Sequence, residues 1–403
     1  MSGVLTGRRT RLAFPFLAYV FAAIMLGTTL PTPMYALYAV RMEFSVLTTT
    51  VVFATYAAGV LAALLVCGRW SDVVGRRPML LAATVFAIIS AFAFLAAGGV
   101  GDLLLGRLLS GVSAGIATGT ATAAVIEAAP PAWRGRAAAV ATVANIGGLG
   151  LGPLLAGVMV QYAPEPLNLP FLLHIVLMGV AIAAVAVVPE TCPRTGRIGL
   201  QRLSVPTEVR PVFFIAATAA FAGFAVLGLF TAVSPSFVSD VIGIGNHAVA
   251  GAIVCSIFAA SAVAQWASGR IDANRAMAWG CSVLVIGMLI IAASLHFSNV
   301  WLLIAGAVIA GVGQGVSFSR GLAAVADQTP PQRRAEVSST YFVVAYVAIS
   351  LPVIGEGLAA ELWGLETAGI VFALVVAALA AACLGVILTR ESRAHRRSPV
   401  EPT

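Results

Sequence analysis

Charged side chains that could act on one another are rare in this sequence. One such set between apolar runs is Gly68-Arg69-Trp70-Ser71-Asp72-Val73-Val74-Gly75-Arg76-Arg77-Pro78. One carboxylate among three guanidiniums can form ion pairs, and pairs that form and break can latch two bodies together. Asp72 could also serve free amides at a helix start, where the helix dipole favours an anion. Glu127, Glu190 and Asp272 are further carboxylates for such a latch, and Arg134 is a further cation. Arg107 and Glu356 are charges set in apolar runs, and an ionisable group there is a candidate for binding or moving charge. Covalent chemistry is not indicated. The four histidines (His174, His247, His296, His395) share no helical spacing. The five cysteines (Cys67, Cys192, Cys255, Cys281, Cys383) stand singly. We therefore expect no enzyme, no metal site, no disulfide and no cofactor.

The elements holding these residues are membrane spans. The chain is 60% hydrophobic and 10% charged, with mean hydropathy +1.00, where an average soluble domain is about 25% charged. The net charge of +7 is dispersed through short loops, so no nucleic-acid partner is expected. Uncharged stretches of at least 19 residues run 12–40, 44–68, 78–101, 108–126, 137–164, 166–189, 211–239, 241–269, 276–319, 337–355 and 367–389, each about one bilayer crossing or more. The double-length stretch 276–319 breaks at His296-Phe297-Ser298-Asn299, which makes twelve helices. The first run is too long for a cleaved signal and reads as a retained span.

Arginine sets the orientation. Arg8, Arg9 and Arg11, the 68–78 loop, Arg134, Arg136, Arg194, Arg197, Arg202, Arg210, Arg270, Arg275, Arg320, Arg333, Arg334 and the tail arginines (Arg390, Arg393, Arg396, Arg397) fall on one side. Arg41 and Arg107 fall on the other. Both termini are then cytoplasmic in a multi-pass inner-membrane protein. The long polar connection after helix six divides the chain into residues 1–190, a cytoplasmic linker 191–210, and residues 211–403 with a short cytoplasmic tail. The halves repeat at an offset of 200: Gly111 and Gly115 answer Gly311 and Gly315, and Glu127, Pro130, Pro131 and Arg134 answer Asp327, Pro330, Pro331 and Arg334. Two parallel six-helix halves with a midplane site between them is a general transporter plan.

The 68–78 stretch resembles the signature loop between helices two and three of the major facilitator superfamily, roughly G-x-L-A-D-R-x-G-R-[RK]. Gly68, Asp72, Gly75, Arg76 and Arg77 match, and Trp70, Ser71 and Val73 depart. The resemblance implies an all-α integral membrane fold with twelve helices in two pseudo-symmetric six-helix bundles. It further implies a gate of Gly68, Asp72, Gly75, Arg76, Arg77, Glu127, Arg134, Glu190 and Asp272, with Asp72 facing the start of helix eleven. Glu190, in Pro189-Glu190-Thr191, is similar to the family's P-E-T ending of helix six. Arg107, in Gly106-Arg107-Leu108-Leu109-Ser110-Gly111, is similar to a family pattern whose arginine is associated with proton coupling; the plainer reading is an arginine snorkelling at the membrane edge. Gly148, Gly152, Pro153 and Gly157 resemble the helix-five motif G-x-x-x-G-P-x-x-G-G of exporters that exchange substrate for protons.

Among the other polar groups within spans, we take Tyr35, Tyr38, Asn145, Gln314 and Tyr346 as candidates to line the substrate cavity. Tyrosine near a span end also serves as an interface anchor, and Asn or Gln at depth can simply hold helices together. Arg107 and Glu356 are candidates for coupling, although Glu356, late in helix eleven, is expected at a solvated outer mouth. The function expected is proton-driven efflux of small amphipathic or drug-like molecules by a monomer, with the proton gradient as energy source. The alternative is a proton-coupled sugar or metabolite transporter, exporting or importing, and the remote one a membrane sensor or enzyme. The partners expected are a small organic substrate, protons and the lipid bilayer.

Overall fold

The computed structural model describes residues 2–397 except 193 and 195–197. The side chains of residues 2–11, 274 and 391–397 are not described either, so Arg8, Arg9, Arg11, Arg197, Arg393, Arg396 and Arg397 lie outside the described set. Twelve helices among the described residues are long and apolar enough to cross a membrane. They are α1 (Leu12–Met42), α2 (Val46–Cys67), α3 (Arg76–Leu95), α4 (Val100–Glu127), α5 (Pro131–Tyr162), α6 (Leu169–Val187), α7 (Arg210–Ala232), α8 (His247–Arg270), α9 (Arg275–His296), α10 (Val300–Asp327), α11 (Pro331–Trp363) and α12 (Leu365–Arg390). Alternating spans bring both ends of the chain to one face, called here the terminal face; the other is the far face.

Short polar residues start the spans. Ser45 accepts the Thr48 amide at 3.3 Å ahead of α2, and Asn246 accepts from Ala248 and Val249 at 2.9 and 3.2 Å ahead of α8. Asn299 accepts from Trp301 and Leu302 at 2.9 and 3.2 Å. Together with positive φ at Ser298, it breaks the double-length run where its polar residues fall. α1 changes pitch through a 3₁₀ turn at Thr32–Met34, with Pro31 before it and Pro33 within it. α7 runs on past Pro235 into a π turn at Phe237–Val241.

Glycine decides which helices touch, because apolar side chains alone give no preference for protein over lipid. A Cβ on Gly111 or Gly115 would fall 2.1 Å from the Tyr56 carbonyl oxygen or 2.7 Å from that of Val60, so α4 rides directly on α2. The second half repeats this: Gly311 and Gly315 of α10 face the Ile257 and Ser261 carbonyls of α8, each at 2.4 Å. The paired seams express the 200-residue repeat as two pseudo-symmetric six-helix bundles.

The bundles meet along α2 with α11 and α5 with α8. At the far face these seams are tight. Gly157 lies against the His247 carbonyl and Gly251 against that of Pro153, leaving no room for a Cβ. Gly357 of α11 packs on Thr50 and Leu47 of α2, and the His247 amide bonds Gln161 at 2.9 Å. At the terminal face α5 and α8 part. Gly135, Arg136, Ala138 and Thr142 look across about 1360 Å³ of empty space at Gln265, Trp266 and Gly269. The connection from α6 to α7 is tied to both bundles: the Gln201 amide bonds the Leu65 carbonyl at 2.8 Å, and Val205 and Val209 pack into the α7–α9–α11 core.

Candidate functional site

The motif loop builds a joint between two antiparallel helix ends. Glu190, just beyond α6, accepts the first amides of α3, from Arg76 at 2.8 Å and Arg77 at 3.2 Å. In return Arg77 donates to the last carbonyls of α6, Val185 at 3.1 Å and Ala186 at 2.8 Å. An anion thus sits at a helix N-terminus and a cation at a C-terminus, each favoured by the dipole it meets. Burial pushes the Glu190 carboxyl up, but amides from Arg76, Cys192, Arg77 and Thr191 outweigh it and hold the group below its ordinary value. Gly75 is obligatory on two counts. Its φ is +111°, and a Cβ there would meet Glu190 Oε2 at 2.5 Å.

Arg76, buried, gathers the rest. It pairs with Glu127 through Nε at 3.3 Å and Nη2 at 2.9 Å, with Asp72 at 2.7 Å, and takes Ser71 Oγ at 2.6 Å. Thr191 Oγ1 closes the set on Glu127 at 2.7 Å. Ser71 and Thr191 carry no charge, and nothing in their types singled them out.

Several gate residues stand differently from expectation. Asp72 is 57% exposed, and its ion pair among the described residues is with Arg76, not with the start of α11. Arg134 is exposed in the opening 3₁₀ turn of α5 and makes no ion pair among the described residues. Gly68 faces the linker residue Gln201. Asp272 caps the opening of α9, accepting the Arg275 amide at 3.1 Å.

Between the bundles, near mid-membrane, lies a cleft with about 640 Å³ of empty space. Its two walls differ. The first bundle contributes Arg107 with the polar Thr28, Thr29, Thr118 and Asn145, beside Phe53, Tyr56, Ile146 and Leu149. The second contributes mainly Phe224, Phe258, Phe318, Phe342 and Tyr346. Phe318 anchors this aromatic wall, 4.8 Å from the ring of Phe224 and 5.9 Å from that of Phe342. Tyr56 and Tyr346 meet edge to face across the bundles at 6.4 Å.

Arg107 is 1% exposed, so it does not snorkel. Its guanidinium donates to the Thr28 and Phe53 carbonyls and lies over the Tyr56 and Phe53 rings at 4.7 and 5.3 Å. Carbonyls and ring faces steady the cation without neutralising it. Among the described residues it has no carboxylate partner, and its Nε has no acceptor. A buried cation normally needs an anion, and the cleft leaves that place to something else.

Of the expected cavity residues, Asn145 and Tyr346 line the cleft and three do not. Tyr35 and Tyr38 are 2% and 1% exposed inside the far-side core, with no partner for either hydroxyl, so they are not interface anchors. Gln314 is fully buried in the second bundle, where Oε1 accepts Ser261 Oγ at 2.5 Å. His174 is buried and rests on the Ala23 carbonyl at 3.3 Å. Glu356 is not at a solvated mouth either: it is 3% exposed and neither carboxyl oxygen has a partner.

On α5, Gly148 and Gly152 receive the Ala22 and Leu26 carbonyls of α1. Gly150 and Gly157 receive Phe258 and His247 of α8 on the opposite side. Pro153 lacks the amide that would bond the Leu149 carbonyl, and Thr29 Oγ1 supplies a donor to it at 2.7 Å. α5 is therefore a thin wedge between a helix of its own bundle and one of the other.

A family model described as Major Facilitator Superfamily matches residues 16–297 and 275–403. Sequence likeness to characterised proteins is partial. "Sugar transporter ERD6-like 15" of Arabidopsis thaliana is 37% identical over 83 residues, 21% of this chain and 17% of that protein. The "Quinate permease" of Neurospora terricola is 29% identical over 194 residues, 42% of this chain and 34% of the permease. In fold, the chain resembles a bacterial homolog of the human lysosomal transporter Spinster, solved inward-facing and unoccupied, with TM-score 0.69, 15% identity and coverage of 94% and 98%. It also resembles a POT family transporter in complex with 5-aminolevulinic acid, with TM-score 0.73, 14% identity and coverage of 95% and 96%. With the signature loop, the paired bundles and the central cleft in place, and the family model matched over most of its length, the chain belongs to the major facilitator superfamily.

Proposed function

We propose that this transporter carries a small organic metabolite anion, a hydroxylated or ring-bearing carboxylate, through the cleft between its bundles. The observation that carries the proposal is Arg107, a buried cation without a counter-ion facing an aromatic wall. A carboxylate would complete the guanidinium, as bidentate pairing does elsewhere. Thr28, Thr118 and Asn145 could serve hydroxyls, and Phe224, Phe318 and Phe342 would pack on the ring face. The relatives named as a sugar transporter and a quinate permease support a metabolite; quinate is a hydroxylated cyclic carboxylate.

Efflux of lipophilic cations is the weaker reading, since a fixed positive charge in the cleft repels them. The helix-five glycines, which suggested export, are accounted for by the packing of α5 on α1 and α8. By the positive-inside rule the terminal face is cytoplasmic, and the structure corresponds to a state closed outward and parted inward. Proton coupling belongs to the proposal, and net direction follows the gradients.

The test is ligand stabilisation of the purified protein by quinate, glucose and tetraphenylphosphonium, with Arg107→Gln and Arg107→Lys beside the wild type. Quinate should raise the melting temperature of the wild type, do so less in Arg107→Lys, and leave Arg107→Gln unmoved. Stabilisation by tetraphenylphosphonium alone, or an equal quinate effect in Arg107→Gln, would overturn the reading.

A further inference from the structure

The substrate cleft does not account for the groove between α1, α5 and α8. This groove, with about 1210 Å³ of empty space, runs between Ala22 of α1, Gly147 and Leu151 of α5, and Ala259 and Val263 of α8. Its lining is apolar, and Tyr19, which borders it, turns its hydroxyl to the Leu177 carbonyl at 2.9 Å. Val143, Leu151, Val263 and Trp266 are exposed along it. Gly147 leaves its floor open: a Cβ there would meet only Val143 Cγ1, at 4.0 Å. Helix packing asks for Gly148 and Gly150, which receive Ala22 and Phe258, but not for Gly147.

At Trp266 the groove adjoins the wider space of the terminal face, which is lined by Arg136 of α5 and Arg270 of α8. Both arginines are exposed, and neither pairs with a carboxylate among the described residues. No carboxylate lines that space, and the nearby Asp272 caps α9. Length and charge together select an occupant. From Val140 to Leu151 the groove follows α5 for about 16 Å, roughly half of a ~30 Å hydrocarbon core, which is the depth of one leaflet. The arginines stand about one helical turn beyond its outer end, at the level of lipid headgroups. Hydrocarbon suits a groove that water would wet poorly, and a phosphate suits two unpaired guanidiniums. A soluble anion would leave the groove bare, and a neutral lipid would leave the arginines unmatched.

We propose that the α1–α5–α8 groove holds one acyl chain of an anionic phospholipid, with the headgroup phosphate between Arg136 and Arg270. Arg136 belongs to the first bundle and Arg270 to the second, so the headgroup joins the two where they stand apart. Drawing α8 onto α5 would narrow the groove and expel the chain. The lipid therefore binds the parted state more tightly and shifts the equilibrium toward it. By the positive-inside rule its leaflet is the cytoplasmic one, whose anionic lipids attract arginines at the ends of spans. Neither Arg107 nor the identity of the substrate enters the inference.

The experiment is native mass spectrometry of the purified, delipidated protein, titrated with phosphatidylglycerol or with phosphatidylcholine of the same chains. Wild type should retain the first phosphatidylglycerol about ten-fold more tightly than phosphatidylcholine. In Arg136→Gln/Arg270→Gln the two lipids should bind alike. Arg69→Gln/Arg333→Gln, which removes two other exposed arginines of the same face, should keep the preference. Gly147→Leu, which fills the groove floor, should lower retention of phosphatidylglycerol several-fold. Glycerol 3-phosphate, a headgroup without chains, should not displace the lipid. Equal retention by wild type, a preference kept in Arg136→Gln/Arg270→Gln or lost in Arg69→Gln/Arg333→Gln, unchanged retention in Gly147→Leu, or displacement by glycerol 3-phosphate would overturn the proposal. The effect on state is read from Thr142→Cys/Gln265→Cys, across the parting, with Cys67, Cys192 and Cys255 replaced by alanine. Oxidative cross-linking of that pair needs the helices to close, so phosphatidylglycerol should slow it several-fold relative to phosphatidylcholine; equal rates would also overturn the proposal. None of these measurements involves the substrate.

Discussion

Replacing Gly75 by alanine perturbs the α3–α6 joint at its tightest point. The residue has φ +111° and ψ +158°, a region essentially confined to glycine, and a side chain held there costs about 1–3 kcal/mol. The new methyl would also lie 2.5 Å from Glu190 Oε2, so the carboxylate must leave the amides it caps. Loss of a helix cap costs about 0.5–2 kcal/mol. The two contributions together give a destabilisation of about 1.5–5 kcal/mol. The assay is equilibrium unfolding in mixed detergent micelles of the wild type, Gly75→Ala, Glu190→Ala and the double variant. If the methyl acts partly by expelling Glu190, the double variant loses the cap only once. Its destabilisation should then fall short of the sum of the singles by about the capping energy, 0.5–2 kcal/mol. A Gly75→Ala protein as stable as the wild type, or strict additivity, would refute the reasoning.

Acid should loosen the same joint. Glu190 titrates below its ordinary value of 4.5 in the folded protein, so its contribution is complete above that value and is lost as pH falls through the lower folded one. Wild type should therefore lose more stability on acidification below 4.5 than Glu190→Gln, measured by melting temperature against pH. On α5, Thr29→Val should cost about 1–3 kcal/mol by stranding the Leu149 carbonyl. Pro153→Ala restores the missing amide, so adding it to Thr29→Val should recover most of that loss. No recovery in the same unfolding assay would show that the hydroxyl acts otherwise.

The spans were legible because uncharged run lengths match a bilayer and because the polar residues 296–299 break the double-length run. The joint was legible in part: Asp72, Gly75, Arg76, Arg77, Glu127 and Glu190 announced themselves as charges and a turn glycine. Which way a helix faces was not. Inside a membrane both the lipid-facing and the core-facing sides are apolar, so the periodicity that orients a soluble helix is absent. Tyr35, Tyr38 and Gln314 were therefore indistinguishable from Asn145 and Tyr346, although only the last two reach the cleft. Glu356 went astray for the same reason, because its distance along α11 was readable and its direction was not. Thr29 was hidden more deeply, since its task is set by a proline on another helix.

The connection between the bundles limits what motion they can make. It is fastened to the first bundle at Gln201, through the Leu65 carbonyl, and to the second at Val205, which packs into that bundle's core. Only Arg202, Leu203 and Ser204 lie between the two fastenings, a path of about 15 Å at full stretch. A strap so short lets the bundles swing about this edge but not draw apart there. The opening at the terminal face must then widen on the opposite side, where α5 and α8 already stand apart.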